Sequence, residues 1–131
     1  MKDNKGRFLV VSNRLPVTMT SNDNKWEAKS SSGGLVNALD PVLKNRGGFW
    51  VGWPGTCEEV KMSVLKEILG PISKKNGYRF MPVLLTKKDI EEYYHGFSNS
   101  VLWPLFHDFQ SRCDFLPEYW EGYIRANEKF A

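Results

Sequence analysis

Apolar and polar positions divide the chain into short apolar runs that alternate with longer stretches of helical spacing. Phe8-Leu9-Val10-Val11 is a continuous apolar run ending in β-branched residues. It reads as a strand buried on both faces, stopped by Ser12-Asn13-Arg14-Leu15-Pro16. Val17-Thr18-Met19-Thr20 and Lys25-Trp26-Glu27-Ala28 flank the polar Ser21-Asn22-Asp23-Asn24, the pattern of a surface hairpin. Ser30-Ser31-Ser32-Gly33-Gly34 is a flexible turn that opens a helix with Leu35, Ala38, Leu39 and Val42 on one face. Pro41 stands against its continuation and Gly47-Gly48 ends it.

Phe49-Trp50-Val51-Gly52-Trp53 then predicts a second sheet strand, closed by Pro54-Gly55. Val60, Val64, Leu65, Ile68 and Leu69 form the stripe of a second helix that Gly70-Pro71 should terminate. Residues 78–85 read as a third strand, with Pro82 marking an edge or bulged position. Thr86 followed by Asp89 is a variant capping box, and its helix runs through Ile90 to Tyr94. After Gly96 two further helical stretches are expected: residues 101–109, interrupted by Pro104, and residues 117–131. The order βαβαβα is that of a Rossmann-like open α/β sheet, and one domain over residues 1–131 is the simplest account.

Composition narrows the function classes. Hydrophobic residues at 41% and charged residues at 25% describe a chain that folds, and 131 residues suit a single core. Eighteen basic against 15 acidic residues leave +3 without a basic face. Lys74-Lys75 and Lys87-Lys88 are isolated pairs, so no nucleic-acid partner is expected. Cys57, Cys113, His95 and His107 lack metal-ligand spacing, and no metal is expected. Met1 to Lys5 is polar and leads straight into a strand pattern, and no apolar run reaches membrane-spanning length. The expectation is a cytoplasmic protein with no membrane partner.

Candidate chemistry follows from placement. In an open α/β sheet ligands bind outside the carboxyl ends of the strands, where Arg14 lies, and a guanidinium matches a phosphate. Gly33-Gly34 directly precedes a helix, so its N–H groups and the helix dipole could face an anion. Trp53, Tyr94 and Trp103 follow strands and could wall a sugar site. Each also has a plainer reading: a surface arginine, a turn, and core aromatics.

Taken together, Val10-Val11-Ser12-Asn13-Arg14-Leu15-Pro16, Ser31-Ser32-Gly33-Gly34-Leu35, Trp50-Val51-Gly52-Trp53-Pro54-Gly55, and Glu92-Tyr93-Tyr94-His95-Gly96-Phe97-Ser98-Asn99 with Leu102-Trp103-Pro104 resemble the trehalose-6-phosphate synthase family. The four motifs stand in the family's order and span nearly the whole chain. The resemblance implies the N-terminal half of a GT-B fold in a retaining glycosyltransferase, which moves glucose from UDP-glucose to glucose 6-phosphate. It implies no metal and no cofactor, UDP-glucose being the donor substrate. By motif, Arg14 would grip the acceptor phosphate, Trp53, Tyr94 and Trp103 would line the acceptor pocket, and Gly34 with Gly33 would lie by the donor diphosphate.

Members of that family have a second, donor-binding domain, and this sequence stops before the family's His-Asp-Tyr-His segment. Catalytic residues are therefore unassigned, and this chain alone is expected to be inactive. Residues 17–31 look like a family-variable insertion without an assigned role. Two other readings stay open: a stand-alone sugar-phosphate-binding or regulatory module, and an unrelated nucleotide-binding α/β protein. Whether the chain forms a homo-oligomer or is completed by a missing C-terminal domain is also open.

Overall fold

The computed structural model describes residues 8–131, so the polar Met1 to Lys5 start lies outside the described residues. The chain forms two compact units that divide between Val83 and Leu84. No helix among the described residues is long and apolar enough to cross a membrane.

The first unit holds a parallel sheet of β1 (Leu9–Arg14), β4 (Phe49–Trp53) and β5 (Arg79–Pro82), in the order β1-β4-β5. Helix α1 (Gly34–Arg46) connects β1 to β4, and α2 (Met62–Asn76) connects β4 to β5. Val10, Trp50 and Phe80 are register partners, and with Leu43 of α1 and Leu65 and Leu69 of α2 they build one core. The opposite face differs from the expected doubly buried strand: Leu9 is 58% exposed and Val11 56%. Two successive crossovers that step the same way along a sheet place both helices on one side, which leaves strand alternation instead of full burial.

Both helices run through the prolines that were expected to stop or weaken them. α1 contains Pro41, and α2 continues past Gly70-Pro71 to Asn76. Pro41, Gly70 and Pro71 are exposed, so the carbonyls left without an N–H donor lie on the outer faces, while buried Leu43, Leu65 and Leu69 hold the inner faces. The end of α2 is set by Gly77, which adopts φ +78° and donates its N–H to the Ser73 carbonyl. Pro82 falls at the last residue of β5, an outer strand of this sheet, as its missing donor requires. The expected hairpin is β2 (Val17–Asn22) paired with β3 (Lys25–Ser30), tighter than the sequence implied. Asp23 and Asn24 make a two-residue turn, both with positive φ.

The second unit begins with the capping box as read: the Thr86 hydroxyl accepts from the Asp89 N–H, and the Asp89 carboxylate accepts from the Thr86 N–H. From there α3 (Lys87–Asp89), a π-helical stretch Ile90–Leu102 and α4 (Trp103–Phe106) follow without a break. Gly96 therefore ends nothing. A Cβ on Gly96 would come within 2.5 Å of the Tyr119 ring, so the glycine is there to let α5 (Pro117–Phe130) approach. Tyr93, Phe97 and Tyr123 pack ring against ring between these helices. α4 stops at Phe106, short of the expected Phe109, because Asp108 turns the chain with φ +62°.

Candidate functional site

The carboxyl end of the parallel sheet is shaped by an irregularity in β1. Val11 pairs with Val51 and Arg14 with Trp53, so three residue steps on β1 span two on β4. Such a bulge re-aims the side chains beyond it. It is fastened from below: the fully buried Trp50 donates its indole N–H to Ser12 Oγ at 2.8 Å, and Ser12 Oγ donates to the Arg14 carbonyl at 2.6 Å. A Cβ on Gly52 would lie 2.7 Å from the Arg14 carbonyl carbon, so only glycine admits β1 this closely.

Arg14 emerges from this bulge with its guanidinium over the Trp53 ring, 5.5 Å from the centroid. Its Nη2 donates to Thr18 Oγ1 at 2.7 Å, and Thr18 Oγ1 lies 2.9 Å from Ser31 Oγ. Gly55, at φ +82°, forms the floor, where a Cβ would come 2.6 Å from Arg14 Nη2. Among the described residues no carboxylate pairs with Arg14. Trp53 is buried, and its N–H is committed to the Thr56 carbonyl at 2.9 Å, so it offers a ring face and no free donor.

Two residues beyond Ser31, Gly33 stands at the N-cap of α1 with no side-chain cap, and Gly34 is the first helical residue. A Cβ at either position would meet open space. The first N–H groups of α1 lack intrahelical partners, and no acidic residue occupies the first turn. That is the electrostatic arrangement an anion seeks. The structure thus brings Arg14, Trp53 and the approach to Gly33-Gly34 together in the first unit.

Tyr94 and Trp103 lie in the second unit, nine residues apart. An i→i+5 ladder takes roughly four and a half residues per turn, so nine residues close about two turns and share a face. At the ordinary α-helical pitch they would point to opposite sides. The Trp103 N–H donates to the Ser98 carbonyl, so the wide ladder does span the interval. Trp103 is 64% exposed and packs tilted against His107, with ring centroids 3.9 Å apart, while Tyr94 packs edge-on against His95.

The sequence model of glycosyltransferase family 20 matches residues 6–131. The chain belongs to glycosyltransferase family 20. It is 43% identical to the trehalose-6-phosphate synthase of Mycolicibacterium vanbaalenii over 95% of its own length and 25% of that protein's. Its fold is similar to a trehalose-6-phosphate structure from E. coli bound with UDP-2-fluoro glucose (30% identity, TM-score 0.63, 93% of this chain and 23% of that one). It is likewise similar to an α,α-trehalose-phosphate synthase from Burkholderia xenovorans in complex with glucose-6-phosphate (29% identity, TM-score 0.61, 93% of this chain and 24% of that one). The family 20 chain spans about a quarter of the length of these relatives. The expected open α/β sheet is borne out by these likenesses and by the sheet itself.

Several contacts in this family 20 chain escape a reading of the sequence. Thr18 and Ser31 lie in the segment that had no role, and only the hairpin register brings them to Arg14. In the second unit, Asp89 is 1% exposed and accepts from Arg125 Nε at 2.8 Å and Lys129 Nζ at 2.5 Å, while Arg125 Nη2 also reaches Glu92 at 2.7 Å. Burial alone would raise the Asp89 pKa, but the bonds from Lys129, Thr86 and Arg125 outweigh it and hold the carboxyl well below the usual carboxylate range. The i, i+4 pairing of Arg125 and Lys129 is visible in sequence, but its buried target 36 residues earlier is not. A groove of about 1080 Å³ between α2 and β5 includes none of the candidate residues.

Proposed function

We propose that this chain is the acceptor-side part of a retaining, UDP-forming α,α-trehalose-phosphate synthase, which transfers glucose from UDP-glucose to glucose 6-phosphate. The observation that carries the reading is Arg14: a guanidinium fixed at the carboxyl ends of β1 and β4 by a hydroxyl and a ring, with no carboxylate partner among the described residues. A sugar phosphate brings the complementary dianion, and a guanidinium meets it with paired donors. The Trp53 ring lies against that guanidinium, and Tyr94 and Trp103 offer aromatic surface to a pyranose. The uncapped start of α1 at Gly33-Gly34 would take the donor diphosphate.

The anions are met by a guanidinium and by backbone N–H groups, so the reading needs no metal or cofactor from these residues. Turnover requires groups beyond these 131 residues, and the chain by itself is read as inactive. A cytoplasmic setting goes with the proposal, since neither Cys57 nor Cys113 is in a disulfide.

The test is an NMR titration of the 131-residue protein with glucose 6-phosphate, with Arg14→Ala as control. Saturable shifts at Arg14, Trp53, Tyr94 and Trp103 that disappear in the control are the expected result. A folded protein whose shifts are the same with and without the Arg14 side chain would overturn the acceptor assignment.

A further inference from the structure

We propose that Thr18 is a positioning residue for Arg14, and that through Ser31 it ties this cation to the segment leading into Gly33-Gly34. The inference rests on Arg14 being the phosphate ligand, and it gives the hairpin of residues 17–30 a task. Thr18 is the second residue of β2, opposite Lys29, on the face away from the buried Val17 and Met19. Its hydroxyl has one proton and two lone pairs. One lone pair receives Arg14 Nη2 at 2.7 Å, which leaves a proton and a lone pair for Ser31 Oγ at 2.9 Å.

The choice of a hydroxyl matters. A carboxylate at position 18 would hold the guanidinium equally well but would neutralise it, whereas threonine fixes the direction and leaves the charge for a ligand. Only one of the five guanidinium N–H groups is spent in this way among the described residues. The backbone keeps the hydroxyl in place. The Met19 N–H donates to the Pro54 carbonyl and the Ser31 N–H to the Pro16 carbonyl, both at 2.8 Å. A one-residue slip of the hairpin would turn Thr18 to the core and present an apolar neighbour to Arg14.

The experiment compares Thr18→Val, Thr18→Ser and Ser31→Ala in the 131-residue protein by two readouts. One is ¹⁵N relaxation of the Arg14 Nε–Hε group without ligand; the other is the affinity for glucose 6-phosphate beside that for glucose. In Thr18→Val the Arg14 group should gain motion and glucose 6-phosphate affinity should fall about tenfold, the scale of one hydrogen bond to a charged group, with glucose unaffected. Thr18→Ser should restore both, and Ser31→Ala should loosen Arg14 less while shifting the Gly33 and Gly34 amides.

An Arg14 group as ordered in Thr18→Val as in the parent, or one that Thr18→Ser fails to restore, overturns the positioning role. If Thr18→Val does not fold, unchanged Arg14 motion in Ser31→Ala overturns the relay. Loosened Arg14 with unchanged glucose 6-phosphate affinity upholds the positioning role and removes Arg14 from the phosphate site.

Discussion

Arg14 and Arg125 are both held by short hydrogen bonds, yet their surroundings give them opposite tasks. Arg125, in the second unit, spends its charge on Asp89 and Glu92, and Asp89 is buried. Arg14, in the first unit, is steadied by the Thr18 hydroxyl and the Trp53 ring, neither of which cancels a charge. A cation neutralised by its own protein closes a structure, whereas one oriented by neutral groups is prepared for an anion from outside. The difference lies in the partners and not in the residue type.

The comparison breaks most visibly at Asp89. Asp89→Ala removes the capping-box acceptor and the buried end of the network, and should cost about 3 kcal/mol in urea denaturation. Arg14→Ala should stay within about 0.5 kcal/mol of the parent, as for an exposed side chain outside the core. Equal losses would show that Arg14, too, is structural.

Acid separates the same two groups. The Asp89 carboxyl is held well below its ordinary value of 3.8, so the folded state binds its proton less readily than the unfolded chain does. Its contribution is therefore fully present above the unfolded pKa and is lost as pH falls through about 4 and below. The urea midpoint of the parent should drop between about pH 5 and pH 2, and Asp89→Asn should flatten that slope. A guanidinium does not titrate in this range, so Arg14→Ala should leave the slope unchanged.

Smaller in stability, but sharper for the site, is Gly55→Ala. The residue adopts φ +82°, and a Cβ would press on Arg14 Nη2. The backbone strain should cost about 1–2 kcal/mol, and the displaced guanidinium should weaken glucose 6-phosphate binding measured in the same protein. Destabilisation without loss of binding would mean that the direction of Arg14 is unimportant.

Much of this was written in the sequence wherever the signal is local. Thr86 and Asp89 announced a helix start because both partners lie within one turn, and Val17 to Ala28 announced a hairpin because alternation and turn residues are neighbours. Arg14 and Gly33-Gly34 could be placed at the end of a sheet from element order alone. What was not legible depends on distant registration: the bulge that seats Arg14 beside Trp53, the hydroxyl of Thr18 beneath it, and the burial of Asp89 under residues 36 and 40 positions later. Proline and glycine misled at Pro41, Gly70-Pro71 and Gly96, because burial of one helix face outweighed the local penalty or because close packing needed the glycine.

Trp53 and Trp103 extend the comparison to rings, and here the expected effect on stability is the smallest. Trp53 is buried with its N–H bonded to the Thr56 carbonyl, so its ring belongs to the frame of the first unit. Trp103 is 64% exposed, and its one ring partner among the described residues is His107, which also bonds the Trp103 carbonyl. Trp103→Ala should therefore move the urea midpoint by no more than about 0.5 kcal/mol. The same variant should still weaken glucose 6-phosphate binding in the NMR titration if the ring walls the acceptor. A variant that unfolds would make Trp103 part of the structure, and one that binds unchanged would remove it from the site, because an exposed ring on this helix earns a functional reading only by touching a ligand.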